Sequence, residues 1–240
     1  MAIYSFSTKQ DLVFASAERV QAELLAAIDA RGEAHLVLSG GGTPRPVYEQ
    51  LALADGIDWP KVHVWFADER NVPPDHLGSN YLMAYEALLS KVELVQENVH
   101  RMKGELASEN SAADYSVTLK EVSPSWGLWP RFDVCILGMG GDGHTASLFP
   151  GQMSDDEFNR PAIGVTADYE GRPAERTTLT PLAINGARTI IFLVTGANKA
   201  EALERRFGEF EPNENPTQRI LPIDGEVDWY IDEAAAALLL

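Results

Sequence analysis

FDVCILGMGGDGH, residues 132–144, opens on an apolar run and stops on a glycine-rich polar turn. The run Phe132–Leu137 has no polar face, so it reads as a strand covered on both sides. The turn that follows, Gly138 to His144, lies at the C-terminal end of that strand. The same pattern of an apolar run and then a polar turn recurs along the chain. Ala34–Leu38 runs into Ser39-Gly40-Gly41-Gly42-Thr43, and Val62–Phe66 ends at Ala67-Asp68-Glu69-Arg70. Ile190–Val194 is followed by Thr195-Gly196-Ala197-Asn198 and a helix carrying Lys199.

Helical stretches alternate with these strands. Residues 8–29 place Leu12, Val13, Val20, Leu24 and Ile28 at helical spacing, with Gly32 just beyond. Thr43 and Pro44 suit the N-cap and first position of a helix, and Ser79 suits the cap of another running to about Leu89. A further helix is expected over 109–121, and Val227–Tyr230 reads as a last strand before a C-terminal helix. Alternation of this kind predicts an α/β fold: a mainly parallel sheet flanked by helices in a Rossmann-like three-layer arrangement. The expectation is one α/β domain over residues 1–240. The apolar pattern is diluted over 123–130 and 151–175, and the second stretch reads as a long surface loop or a small insertion.

Composition narrows the function. A chain of 240 residues can bury a substantial core without staples. A formal net charge of −17 argues against nucleic acid, whose phosphates need a surplus of Lys and Arg. A small anion can still bind where a few cations and backbone N–H groups converge. The single cysteine, Cys135, sits inside an apolar run and reads as a buried, inert thiol. MAIYSFSTKQDL lacks the pattern of a signal peptide, and no apolar run approaches the ~20 residues of a membrane helix. The cytoplasm and the absence of a membrane partner are the expectations; oligomeric state is not legible.

The polar turns all fall at the C-terminal ends of strands, the edge where open α/β sheets bind ligands. Ser39–Thr43 offers consecutive N–H groups before a helix N-terminus, which suits a phosphate but lacks the spacing and Lys of a nucleotide P-loop. The alternative is a tight turn that needs glycine for its backbone angles. Asp68-Glu69-Arg70 offers a carboxylate for a reacting carbon and a guanidinium for an anion, or else a solvated charge run. Gly138, Gly140 and Gly143 match G-x-G-x-x-G, yet Pro150 leaves no room for a full-length helix after them. The match to a dinucleotide fold is therefore discounted, and the glycines present Asp142 and His144. His144 is either a general base or a histidine at a helix end. Lys199 lies beside a positive helix end, where an anion would offset its charge, and Arg176 is a weaker anion-binding candidate. His35, His63, His76 and His100 lack comparable company, and no metal-ligand spacing is present.

Together these stretches resemble the 6-phosphogluconolactonase family. LSGGGTP (38–44), WFADERNVP (65–73), GSNY (78–81), FDVCILGMGGDGHTASLFPG (132–151), ERTTLT (175–180) and TGANKA (195–200) carry the resemblance in order. It implies a fold related to glucosamine-6-phosphate deaminases and ribose-5-phosphate isomerases. It also implies 6-phospho-D-glucono-1,5-lactone as substrate, no cofactor, and a place in the oxidative pentose phosphate pathway. By the same resemblance His144 is the catalytic base, Asp142 orients it, and Asp68 positions water or sugar hydroxyls. Ser39, Gly40, Gly41, Gly42, Thr43, Arg70, Lys199 and Arg176 would hold the phosphate of a small sugar-phosphate. Segment 151–170 departs from the family pattern. In the related deaminases a glutamate partners the histidine, and here Phe149 falls where that glutamate would be. A deaminase-like isomerase, a non-catalytic sugar-phosphate sensor and a dinucleotide-binding redox protein are the competing readings.

Overall fold

The apolar runs pair side by side and in one direction in a computed structural model that describes residues 1–126, 129–169 and 171–239. In chain order the elements begin β1 (Ala2–Phe6), α1 (Lys9–Arg31), β2 (Ala34–Leu38) and α2 (Pro44–Leu51). They continue with β3 (Val62–Phe66), β4 (Asp68–Arg70), α3 (Asn80–Ala87) and α4 (Ser108–Val122). A short ribbon, β5 (Ser125–Trp126) with β6 (Trp129–Pro130), precedes β7 (Val134–Gly138), α5 (Asp156–Asn159) and β8 (Ala162–Thr166). The rest is β9 (Glu175–Leu179), α6 (Pro181–Ile184), β10 (Thr189–Val194), α7 (Ala200–Phe207) and β11 (Glu226–Asp232). Gly127 and Leu128, within the dilute stretch 123–130, and Glu170, within 151–175, lie outside the described residues, as does Leu240.

The central sheet has six parallel strands in the order β1-β11-β10-β7-β2-β3. Successive strand residues face opposite sides, so each run feeds two cores. Val37, Trp65, Cys135, Leu137, Phe192 and Trp229 face α4, α6 and α7. Leu36, Leu38, Val64, Ile136, Ile191 and Tyr230 face α1, α2 and α3. These are the three layers that the alternation predicts. Ser79 caps α3 as expected, its Oγ accepting from Leu82 N at 3.1 Å.

Several elements differ from the sequence reading. β1 went unread because it is an edge strand whose middle residues are exposed, so it carries no buried stripe. Segment 151–175 is neither a plain loop nor an insertion apart from the fold. It contributes α5 and β8, and β8 pairs antiparallel with β9, which pairs with β4. Thr43 has helical backbone angles and no capping hydrogen bond; its Oγ1 lies 3.0 Å from Thr195 Oγ1 instead. Lys199 ends a 3-10 turn (Ala197–Lys199) just before α7. The expected C-terminal helix is a 3-10 turn, Ala235–Leu238.

The histidines also find company. His35 and His63 are register partners at the start of β2 and β3, and their rings stack with centroids 4.7 Å apart. His100 stacks on Trp65 at 4.0 Å, and its Nε2 lies 3.0 Å from His63 Nδ1. Glu33, His35 and His63 together have the composition of a metal site. However, Trp65 Nε1, which can only donate, gives its proton to His35 Nδ1 at 3.0 Å. A neutral His35 therefore carries its own proton on Nε2, facing Glu33 at 3.3 Å, where a metal would need a lone pair. His76 is exposed and accepts from Gly78 N at 2.9 Å.

Candidate active site

One cavity at the C-terminal edge of the sheet is lined by residues from every polar turn the sequence singled out. Ser39, Gly40, Gly41, Gly42 and Thr43 come from the end of β2, and Gly138, Gly140 and His144 from the end of β7. Thr195 and Lys199 follow β10, while Asp68, Arg70 and Arg176 come from the antiparallel β4–β9 pair.

Asp142 stands behind the cavity wall, bonded to the histidine. His144 Nδ1 is 2.6 Å from Asp142 Oδ1, and the His144 backbone N–H donates to the same oxygen at 3.1 Å. Since an ionised carboxylate only accepts, the neutral ring keeps its proton on Nδ1 and leaves the Nε2 lone pair available. Burial alone would raise the Asp142 carboxyl, but its hydrogen bond and charge interaction with His144 outweigh that and hold it below its ordinary value. Glycine is required at position 140, because a Cβ there would fall against the His144 ring and the Asp142 carboxylate. The imidazole has Phe149 across from it at 4.7 Å and Tyr169 at 4.6 Å. Where a deaminase would carry glutamate, the group beside His144 is thus a phenyl ring.

Asp68 is held elsewhere. Its Oδ1 accepts from Asn80 Nδ2 at 2.9 Å and its Oδ2 from Ser147 Oγ at 2.6 Å, in a side chain that is almost wholly buried. Asp142 rather than Asp68 is therefore the carboxylate joined to His144. Asn80 also explains Gly40: a Cβ at that position would collide with the Asn80 side chain. Asn80 in turn is fixed by Glu69, a buried carboxylate that accepts from Asn80 N, Tyr81 N and Ser79 Oγ at the start of α3. Burial raises the Glu69 carboxyl despite these bonds.

Two of the cavity's arginines keep guanidinium N–H groups without hydrogen-bond partners among the described residues. Arg176 is 3% exposed, and its Nε and Nη2 have no hydrogen-bond partner among the described residues; neither does Arg70 Nε. Arg70 does donate through Nη1 to Gly78 O at 2.6 Å. Burial lowers the Arg176 guanidinium from its ordinary value, Asp68 pulls it back, and the charges of Arg70 and Arg172 lower it further. Removing buried guanidinium groups from water is costly unless an anion meets them. Ser39 contributes less than its position promises. Its N–H donates to Tyr48 Oη at 2.9 Å and its hydroxyl to Ile136 O at 2.7 Å, so both donors are engaged inside the protein.

Tyr169 and Arg172 line the cavity and were missed by the sequence reading. They sit in the loop between β8 and β9, where no local periodicity marks them. Asn80 and Ser147 lay inside recognised motifs, but their bonds to Asp68 span 12 and 79 residues and have no local signature.

Comparison with known proteins gives a consistent picture. Residues 7–229 match the family described as glucosamine-6-phosphate isomerases/6-phosphogluconolactonase. A 6-phosphogluconolactonase of Synechocystis sp. is 39% identical over 95% of this chain and 93% of the relative. A probable chloroplastic 6-phosphogluconolactonase 4 of Oryza sativa subsp. indica is 37% identical over 98% of this chain and 75% of the relative. The structure of 6-phosphogluconolactonase from Trypanosoma brucei superposes with a TM-score of 0.87 at 27% identity, covering 100% of this chain and 98% of that one.

Proposed function

From the premise that the chain belongs to the glucosamine-6-phosphate isomerase/6-phosphogluconolactonase family, we propose that it hydrolyses 6-phospho-D-glucono-1,5-lactone to 6-phospho-D-gluconate, a step of the oxidative pentose phosphate pathway. The observation that carries this reading is the shared cavity: His144, paired with Asp142 and with its Nε2 lone pair available, lines the same cavity as Arg70 and Arg176, whose guanidinium groups keep N–H donors without hydrogen-bond partners among the described residues.

His144 Nε2 takes a proton from water as the water oxygen bonds to the lactone carbonyl carbon. The carbon–ring-oxygen bond then breaks, and the imidazolium returns the proton to the departing ring oxygen, which becomes a hydroxyl. Asp142 holds the ring in the required tautomer and stabilises its charged form. Backbone N–H groups of the turn after β7, other than those of Gly140, Gly143 and His144, which donate within the turn, serve the developing oxyanion. Arg70, Arg176, Lys199 and the N–H groups of Gly40–Thr43 hold the 6-phosphate, whose binding energy positions the lactone end. Asp68, with both oxygens engaged, supports Ser147 and Asn80 and supplies negative charge near Arg176.

Phe149 argues against the deaminase reading, since a phenyl ring beside His144 relays no proton. The reading also includes one catalytic unit over residues 1–240. A cytoplasmic site of action is proposed with it, supported by a lone thiol that is fully buried and forms no disulfide. Among the described residues no helix is long and apolar enough to cross a membrane. Cell fractionation tests the compartment, a plastid location being the outcome that contradicts it.

The substrate class is tested by supplying the phosphorylated lactone, unphosphorylated gluconolactone and glucosamine 6-phosphate in parallel. Acceleration of the first alone is expected. Equal turnover of the unphosphorylated lactone would contradict the phosphate site, and turnover of glucosamine 6-phosphate would restore the deaminase reading.

A further inference from the structure

The loop joining β8 to β9 closes at its base through Ala167 N–H to Ala174 O at 3.0 Å. It turns at its tip through Arg172 N–H to Tyr169 O at 3.1 Å. Tyr169 and Arg172 reach the cavity, and Tyr169 lies against His144, the one histidine among the described residues that line it. The Tyr169 and His144 rings meet at 78° with centroids 4.6 Å apart, while Phe149 meets His144 at 33° and 4.7 Å. Phe149 and Tyr169 are themselves 5.9 Å apart. Those separations bring the two rings to the imidazole from nearly perpendicular directions, forming a corner rather than a sandwich.

We infer that Tyr169 is a positioning residue for the proposed hydrolysis: it closes this corner and keeps His144 Nε2 aimed at the substrate. The inference rests on the lactonase reading and deepens it. Asp142 pins only one point of the ring, at Nδ1, so the opposite nitrogen can still swing about that hydrogen bond. Phe149, five residues along the same turn, blocks one direction of swing. Tyr169 blocks a second, from a hairpin that belongs to the β4–β9–β8 sheet. The aim of the base thereby depends on the hairpin tip resting on the cavity. Displacing a reacting group by as little as ~1 Å can cost on the order of 10²-fold in rate.

The test combines kinetics with the NMR signals of the His144 ring protons, identified as those absent in His144→Ala. In Tyr169→Ala the ring protons shift as the neighbouring ring current disappears, and kcat falls by about 10- to 100-fold while KM moves much less. Tyr169→Phe keeps the ring, so it leaves the His144 signals near their wild-type positions and restores most of kcat. Unmoved His144 signals in Tyr169→Ala would overturn the inference whatever the turnover, as would wild-type kcat in that variant of an active enzyme. An inactive wild type whose His144 signals do shift would sink the lactonase reading and leave the ring contact standing.

Discussion

Arg70 and Arg176 are register partners across β4 and β9, two guanidinium-bearing side chains paired on neighbouring strands with Asp68 as the nearby carboxylate. Like charges so placed oppose each other, and burial adds to the cost. A dianionic phosphate between them reverses both penalties. The arrangement is thus poorly suited to an empty structural role and well suited to anion capture.

Replacing either arginine follows from that relationship. Arg176→Ala is expected to raise KM for the phosphorylated lactone by about 10- to 100-fold, the range of one charged hydrogen-bonding group. Turnover of unphosphorylated gluconolactone should hardly change. Steady-state kinetics on both substrates check this, and an unchanged KM for the phosphorylated one would remove Arg176 from the phosphate site.

Asp142→Asn separates charge and tautomer from shape. An amide fills the same space but neither stabilises an imidazolium nor enforces a proton on Nδ1. A fall in kcat of about 10²–10⁴ is expected, with KM within a few-fold of wild type. Matching kinetics in the variant would show that His144 needs no carboxylate.

The histidine stack at the opposite edge of the sheet bears on acid stability. Burial pushes His100 down to about 4, with the charges of His63 and His35 acting the same way. His35 and His63 are also lowered, chiefly by burial. The unfolded chain, with histidines near their ordinary ~6.5, binds more protons than the folded one below that pH. This contribution to stability is full above about pH 6.5 and is lost as pH falls toward about 4. Thermal unfolding should show a declining Tm across that window, and His100→Phe, which cannot protonate, should flatten the decline. An identical slope in the variant would exclude His100 as a contributor.

The legible parts of this protein are those whose environment is local or uniform. β2 and β3 are covered on both faces, so Ala34–Leu38 and Val62–Phe66 are apolar apart from one histidine each, His35 and His63, and could be read to the residue. β1 depends on a partner far along the chain, β11, while β8 is the outer strand of a hairpin with β9, and an exposed edge strand carries little pattern of its own. The glycine turns were visible as candidates because they follow strands, and they do line one cavity. What local reading could not supply was which carboxylate meets His144. Nor could it show that Ser39 is engaged internally, that three histidines stack, or that Tyr169 completes the surroundings of His144. The bonds that occupy Asp68, the Ser39 hydroxyl, the histidine stack and the Tyr169 contact all run across the fold, and the Asp142–His144 bond, though local, is settled only once Asp68 is seen to be engaged elsewhere.

The most direct measurement is hydrolysis of 6-phosphogluconolactone generated in place, with its spontaneous opening subtracted, for the wild-type protein and for folded His144→Ala. The account predicts wild-type acceleration well above background and a loss of about 10²–10⁴ in the variant. Acceleration that survives in His144→Ala, or none in the wild type, would contradict it.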